Sequence, residues 1–125
     1  MTKTVLIVDD DEDVREIAQL SIELGAGWNV IAASSGLAGV SLAAAEQPDA
    51  ILLDVMMPGL DGPATLDRLQ SIAETRSIPV IFLTAKARAS DQVRLAALGV
   101  AGVLPKPFDP VALPGQISDL LGWSD

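Results

Sequence analysis

Five short, nearly continuous apolar runs limit the folds open to this chain: residues 4–9 (TVLIVD), 28–33 (WNVIAA), 49–54 (DAILLD), 78–85 (IPVIFLTA) and 101–105 (AGVLP). Runs of this length, rich in β-branched residues and apolar at successive positions, read as strands buried on both faces. Stretches of helical period separate them. Val14, Ile17, Ala18, Ser21 and Leu24 share one helical face before Gly25 and Gly27 stop that helix. The Ala-rich GLAGVSLAAAEQ takes Ser34 or Ser35 as its N-cap and ends at Pro48. GPATLDRLQSIAE has Pro63 in its first turn and an apolar stripe of Leu66, Leu69 and Ile72. A further helix over about residues 90–98 ends at Gly99, and the last carries Leu113, Ile117, Leu120 and Leu121 on one face.

Strand and helix therefore alternate five times. That pattern predicts an α/β fold with a five-stranded parallel sheet, helices on both faces and right-handed crossovers. The whole of residues 1–125 is used, so a single domain with no linker and no output domain is expected. One local rule is broken: Pro114 and Gly115 fall inside the last helix, which should kink or start late.

Composition removes several kinds of chemistry. The chain has no cysteine and no histidine, which excludes thiolate sites, Ser-His and Cys-His triads and a phosphohistidine carrier. Eight basic residues against seventeen acidic ones give a formal charge of −9, which repels nucleic-acid backbones. Two tryptophans and two phenylalanines are too few for a base-stacking platform. No apolar run reaches membrane-spanning length and the N-terminus lacks a signal pattern, so a soluble, cytoplasmic protein is expected, with no membrane and no nucleic-acid partner.

In an open parallel sheet the ligand crevice lies at the carboxyl ends of the strands. Here those ends carry Asp9 and Asp10, Asp54, Thr84 and Lys106. Each has a plainer reading: acids before a helix cap it, Asp54 caps a strand end, Thr84 is an ordinary strand residue and Lys106 a surface lysine. Together they make sense as a phosphoryl-acceptor site. Clustered carboxylates bind a hard divalent ion such as Mg²⁺, Lys106 supplies a fixed positive charge, Thr84 donates to a phosphoryl oxygen, and Asp54 is the nucleophile.

With VDDDED, LLDVMMPGLDG, FLTAKA and PKPF in order and at suitable spacing, the chain resembles, over essentially its whole length, the chemotaxis-regulator-like receiver domains of two-component response regulators. The resemblance implies a flavodoxin-like (βα)5 fold with strand order 2-1-3-4-5. It implies phosphorylation of Asp54 by a sensor histidine kinase or histidine phosphotransfer protein, and a downstream target protein. It further implies Mg²⁺ held by Asp10 directly, Asp9 through water, Asp54 and the Met56 backbone carbonyl, with Thr84 as switch hydroxyl and Lys106 as the paired lysine. A cis Lys106–Pro107 peptide is also expected, and the MPGLDG turn should use the conformational freedom of Gly59 and Gly62.

Three features depart from the family pattern or qualify it. Val103 stands where members often carry a tyrosine or phenylalanine that reorients with the switch threonine, and a valine has no ring to swing. Pro114–Gly115 lies in the surface commonly used for output. Met56 and Lys86 occupy the positions that tune water access to the acyl phosphate, and their side chains should lengthen its lifetime. The expected activity is self-modification rather than enzymatic turnover. The competing readings are a receiver-like module that acts without phosphorylation, a small aspartyl phosphohydrolase, and a flavodoxin-type cofactor binder. The phosphohydrolase needs an acid where Met56 stands, and the cofactor binder a Ser/Thr/Gly phosphate loop where DDDED stands.

Overall fold

Each apolar run becomes a strand, and alternate side chains along it enter opposite cores. The computed structural model describes residues 2–85 and 88–123. In chain order the elements are β1 (Thr4–Val8), α1 (Glu12–Ala26), β2 (Asn29–Ala33), α2 (Gly36–Glu46), β3 (Ala50–Asp54), α3 (Gly62–Ser71), β4 (Val80–Thr84), α4 (Ala89–Ala96), β5 (Gly102–Pro105) and α5 (Leu113–Leu121). The strands form one parallel sheet ordered β2-β1-β3-β4-β5, the flavodoxin-like arrangement the sequence implies.

Leu6, Val8, Ile51, Leu53 and Phe82 point to a core shared with Ala43 of α2, Leu66 and Leu69 of α3 and Leu95 of α4. Val5, Ile7, Leu52, Ile81 and Leu83 point the other way, to Ala18 and Ile22 of α1 and Leu113 and Ile117 of α5. The continuous apolar runs are therefore two interleaved period-two patterns, one for each covered face.

The helices start on side-chain caps that the sequence makes available. Asp11, Ser35 and Asp61 cap α1, α2 and α3, each accepting a backbone N–H from the first turn. Ser35 rather than Ser34 is thus the cap of α2. Helix α3 ends at Ser71, short of the expected Glu74, because Thr75 Oγ1 donates to the Leu69 carbonyl at 2.6 Å and turns the chain. Ile72 consequently leaves the helical stripe and serves as its C-cap.

Helix α1 is rotated relative to the sequence expectation. Ala18 and Ile22 are buried, while Ile17 and Leu24, which share the apolar face with Ala18 in the sequence pattern, are exposed along with Leu20. Contact with α5 accounts for the rotation. A Cβ on Gly25 would come within 2.9 Å of Pro114 Cγ, so glycine lets the two helices meet at that point. Pro114 also explains the late start of α5: it has no N–H for the Pro110 carbonyl, and Ser21 Oγ of α1 donates to that carbonyl instead.

Candidate functional site

The carboxyl ends of β1, β3, β4 and β5 meet at one rim. Register places Asp54 beside Leu83 and Thr84 beside Pro105, so the acid of β3, the hydroxyl of β4 and the lysine just after β5 lie on neighbouring strand ends. Asp9, Asp54 and Thr84 are buried, and Asp10 is exposed. The Thr84 carbonyl accepts the Lys106 backbone N–H at 2.8 Å, which ties these two residues together through the main chain. The Lys106–Pro107 peptide is cis, as the resemblance implies.

The Lys106 ammonium lies 2.6 Å from Asp9 Oδ2 and 3.1 Å from Asp54 Oδ1. Asp54 Oδ1 also accepts the Met56 backbone N–H at 3.3 Å. Burial raises the Asp54 carboxyl above its ordinary pKa, and the Asp9 charge adds to this, against the opposing hydrogen bonds from Lys106 and the Met56 amide. Burial alone would lower the pKa of the Lys106 ammonium. Its hydrogen bonds to Asp9 and Asp54, with the charge of both, outweigh burial and raise it.

One lysine thus serves two buried carboxylates, with a third acid alongside. Carboxylate oxygens of Asp9, Asp10 and Asp54 all lie within 4.8 Å of one another. Asp9 Oδ2 is buried and, among the described residues, has the Lys106 ammonium as its one partner. All-oxygen donors, a local excess of negative charge and a carboxyl destabilised by burial fit a hard divalent cation such as Mg²⁺.

The loop that follows β3 is shaped by glycine for two reasons. Gly59 has φ +73°, the left-handed region. Gly62 does not, contrary to the sequence expectation of a turn glycine. It opens α3, and a Cβ there would approach the Asp54 carbonyl oxygen to 2.6 Å. Absence of a side chain lets the start of α3 press against the backbone that carries Asp54. Met56 is exposed beside this site, and Lys86, its expected companion, lies outside the described residues.

Comparison with known proteins identifies the family and agrees with the fold. The family described as "Response regulator receiver domain" matches residues 5–118. The chain belongs to this receiver family. The receiver is 35% identical over 125 residues to the alkaline phosphatase synthesis transcriptional regulatory protein PhoP of Bacillus subtilis, covering 100% of this chain and 51% of that protein. It is 36% identical over 121 residues to the DNA-binding dual master transcriptional regulator RpaA of Synechocystis, covering 97% of this chain and 50% of that one. The receiver therefore spans about half the length of these relatives. Among solved structures it is similar to the chemotaxis protein CheY4 of Vibrio cholerae, with a TM-score of 0.87, 26% identity and coverage of 96% and 99% of the two chains. It is also similar to the receiver domain of Francisella response regulator 1452, with a TM-score of 0.86, 27% identity and coverage of 97% and 98%.

One contact at the rim was not anticipated from the sequence. Arg15 Nη1 donates to the backbone carbonyl of Asp9 at 2.8 Å. The only hint is spacing: Arg15 lies one helical turn beyond the capping Asp11, where a long side chain can reach back over the helix start. No helix among the described residues is long and apolar enough to cross a membrane.

Proposed function

We propose that this receiver accepts a phosphoryl group on Asp54 from the phosphohistidine of a sensor kinase or histidine phosphotransfer protein, and that the modified state changes which target protein it binds. The observation that carries the reading is the Lys106 ammonium held between Asp9 and Asp54, at 2.6 and 3.1 Å, beside a third carboxylate. Asp9, Asp10, Asp54 and the Met56 carbonyl would hold Mg²⁺, which supplies charge neutralisation for an anionic nucleophile approaching an anionic phosphoryl group.

In the transfer, an Asp54 carboxylate oxygen bonds to phosphorus while the P–N bond to the donor imidazole breaks, with the electron pair leaving on nitrogen. Lys106 is a point charge against the equatorial oxygens, and Thr84 donates its hydroxyl to one of them afterwards. The chain performs this on itself and turns over no separate substrate.

Beside the rim, Ile17, Leu20, Leu24, Pro110 and Val111 form an apolar surface that continues to Val14, Pro107 and Lys106. Such a surface suits a protein donor that must bring its histidine to Asp54. The formal charge of −9 argues that the receiver itself is not a nucleic-acid surface. Met56 beside the acceptor hinders in-line attack by water, so Met56→Asn is expected to shorten the phosphorylated lifetime in a decay assay. Unchanged decay would remove Met56 from that role.

The test is intact-protein mass after brief exposure to acetyl phosphate, with and without Mg²⁺, on the wild type and Asp54→Asn. A Mg²⁺-dependent gain of one phosphoryl group that is absent from the variant supports the reading. A gain that survives in Asp54→Asn assigns the acceptor elsewhere.

A further inference from the structure

Arg15 sits among the acids that begin α1, yet its guanidinium hydrogen-bonds a neutral group, the Asp9 carbonyl, at 2.8 Å. Among the described residues it forms no ion pair with a carboxylate. A cation in the first turn opposes the helix dipole, so the placement does nothing for α1 itself. Its effect falls on the loop that carries the acidic pair.

That loop is fastened at successive points. The Asp9 amide donates to the Ala33 carbonyl at 3.1 Å. Asp9 Oδ1 accepts the Asp11 N–H at 2.9 Å, and Asp11 Oδ1 accepts the Asp13 N–H at 2.9 Å. Asp10, the exposed member of the pair, makes none of these bonds through its side chain. Its orientation comes from the peptide groups on either side: the Asp11 N–H held by Asp9, and the Asp9 carbonyl held by Arg15. Without Arg15, one of those two fixings is gone.

From the Arg15 Nη1 bond to the Asp9 carbonyl, we propose that Arg15 is a positioning residue, which reaches back from α1 to preset the Asp9–Asp10 turn for its divalent cation. The inference rests on the phosphoacceptor reading. A charge-assisted bond from a planar guanidinium suits this purpose, because its fixed fork geometry holds the carbonyl in one direction.

Two physical effects of removing Arg15 have opposite signs, which makes the proposal easy to test. Loss of a nearby positive charge would tighten Mg²⁺ binding, since like charges repel. Loss of a bond that orients the ligand loop would weaken it, by about tenfold for a typical supporting contact behind a metal ligand. A purely structural role would lower thermal stability without Mg²⁺ and leave Mg²⁺ affinity unchanged.

The experiment is a Mg²⁺ titration followed by amide NMR on the wild type, Arg15→Met and Arg15→Lys, with melting measured in chelator. The expected result is a Kd raised about tenfold in Arg15→Met and by less in Arg15→Lys, whose ammonium can still donate. Acetyl-phosphate labelling of Arg15→Met should be slow at low Mg²⁺ and return to the wild-type rate at saturating Mg²⁺. Equal or tighter Mg²⁺ binding by Arg15→Met overturns the positioning role and leaves the phosphoacceptor reading standing. A wild type that binds no Mg²⁺ overturns both.

Discussion

On one side of the sheet, α1 and α5 bury Ala18, Ile22, Leu113 and Ile117 completely and meet at Gly25–Pro114, with Ser21 bonded to the Pro110 carbonyl just before α5. On the other side α4 buries Leu95 alone, exposes Val93, begins without a side-chain cap at Arg88, and carries an exposed Arg94–Asp91 ion pair worth a few tenths of a kcal/mol. The first pair of helices is locked to the sheet and to each other, and the fourth helix is held mainly by one leucine. Elements with few buried side chains open at the lowest free energy, so α4 is cheaper to move than α1 or α5. It lies beside the strand ends that carry Thr84 and Lys106. Val103 packs without a ring against the α4 side of the core, and the Thr84 carbonyl accepts the Lys106 amide N–H.

The largest expected effect is in the locked region. Ile22→Ala removes a fully buried side chain from a seam that cannot collapse around the cavity, and should cost about 3–4 kcal/mol in urea denaturation. Leu95→Ala deletes a comparably buried residue, but α4 is free to settle inward, and the cost should be nearer about 2 kcal/mol. Equal losses would mean that α4 is as firmly packed as α1.

Gly25→Ala comes next. Alanine favours a helix over glycine by about 1 kcal/mol, while pressing a methyl against Pro114 costs about 1–3 kcal/mol, so a net loss of about 1 kcal/mol is expected. The loss should shrink in a Pro114→Ala background, because the atom in the way is gone. A Gly25→Ala protein more stable than wild type would show the α1–α5 seam to be looser than its geometry suggests.

Asp54→Asn should act on both regions alike, since Asp54 sits on β3, the central strand. In chelator, burial raises the Asp54 pKa above its ordinary 3.8. The stability that protonated Asp54 contributes is complete below 3.8 and is lost as pH rises through the raised folded value. At neutral pH the ionised carboxylate is therefore a liability, and Asp54→Asn should melt higher than wild type, with the gap closing on acidification. A gap that widens toward low pH would reverse the sign assigned to burial.

The strands were legible because each was a continuous apolar run, and reading to the end of each run brought Asp9, Asp54, Thr84 and Lys106 to one rim. The face of α1 was not legible, since Ile17, Leu20, Ile22 and Leu24 make much of that helix apolar. What selects Ile22 is the approach of Pro114 to Gly25, a contact between residues far apart in the chain. The end of α3 was hidden for a similar reason: Leu69 and Ile72 keep helical spacing, and a hydroxyl at Thr75 ends the helix. For Arg15 the spacing of one turn beyond Asp11 gives the reach, but nothing in the sequence says that its target is the Asp9 carbonyl rather than one of the neighbouring carboxylates.

The smallest effect should be the most local. Arg88 precedes α4 in an extended conformation with φ −68° and ψ 136°, the backbone of an N-cap, but offers no side-chain acceptor. An aspartate at that position could accept an N–H of the first turn, as Asp61 accepts Ala64 N–H at 2.9 Å at the start of α3. It would also replace a cation at the positive end of the helix dipole by an anion. Arg88→Asp should therefore stabilise α4 by about 0.5–1 kcal/mol. Hydrogen exchange should slow for the amides of residues 89–96 while α1 and α5 stay as they were. If α4 is a loosely held element, the gain will appear in its own amides and barely in the global unfolding midpoint. A shift of the whole midpoint with no local slowing would show instead that α4 unfolds only with the rest of the domain, and the contrast between the two faces would then be one of packing without any difference in local stability.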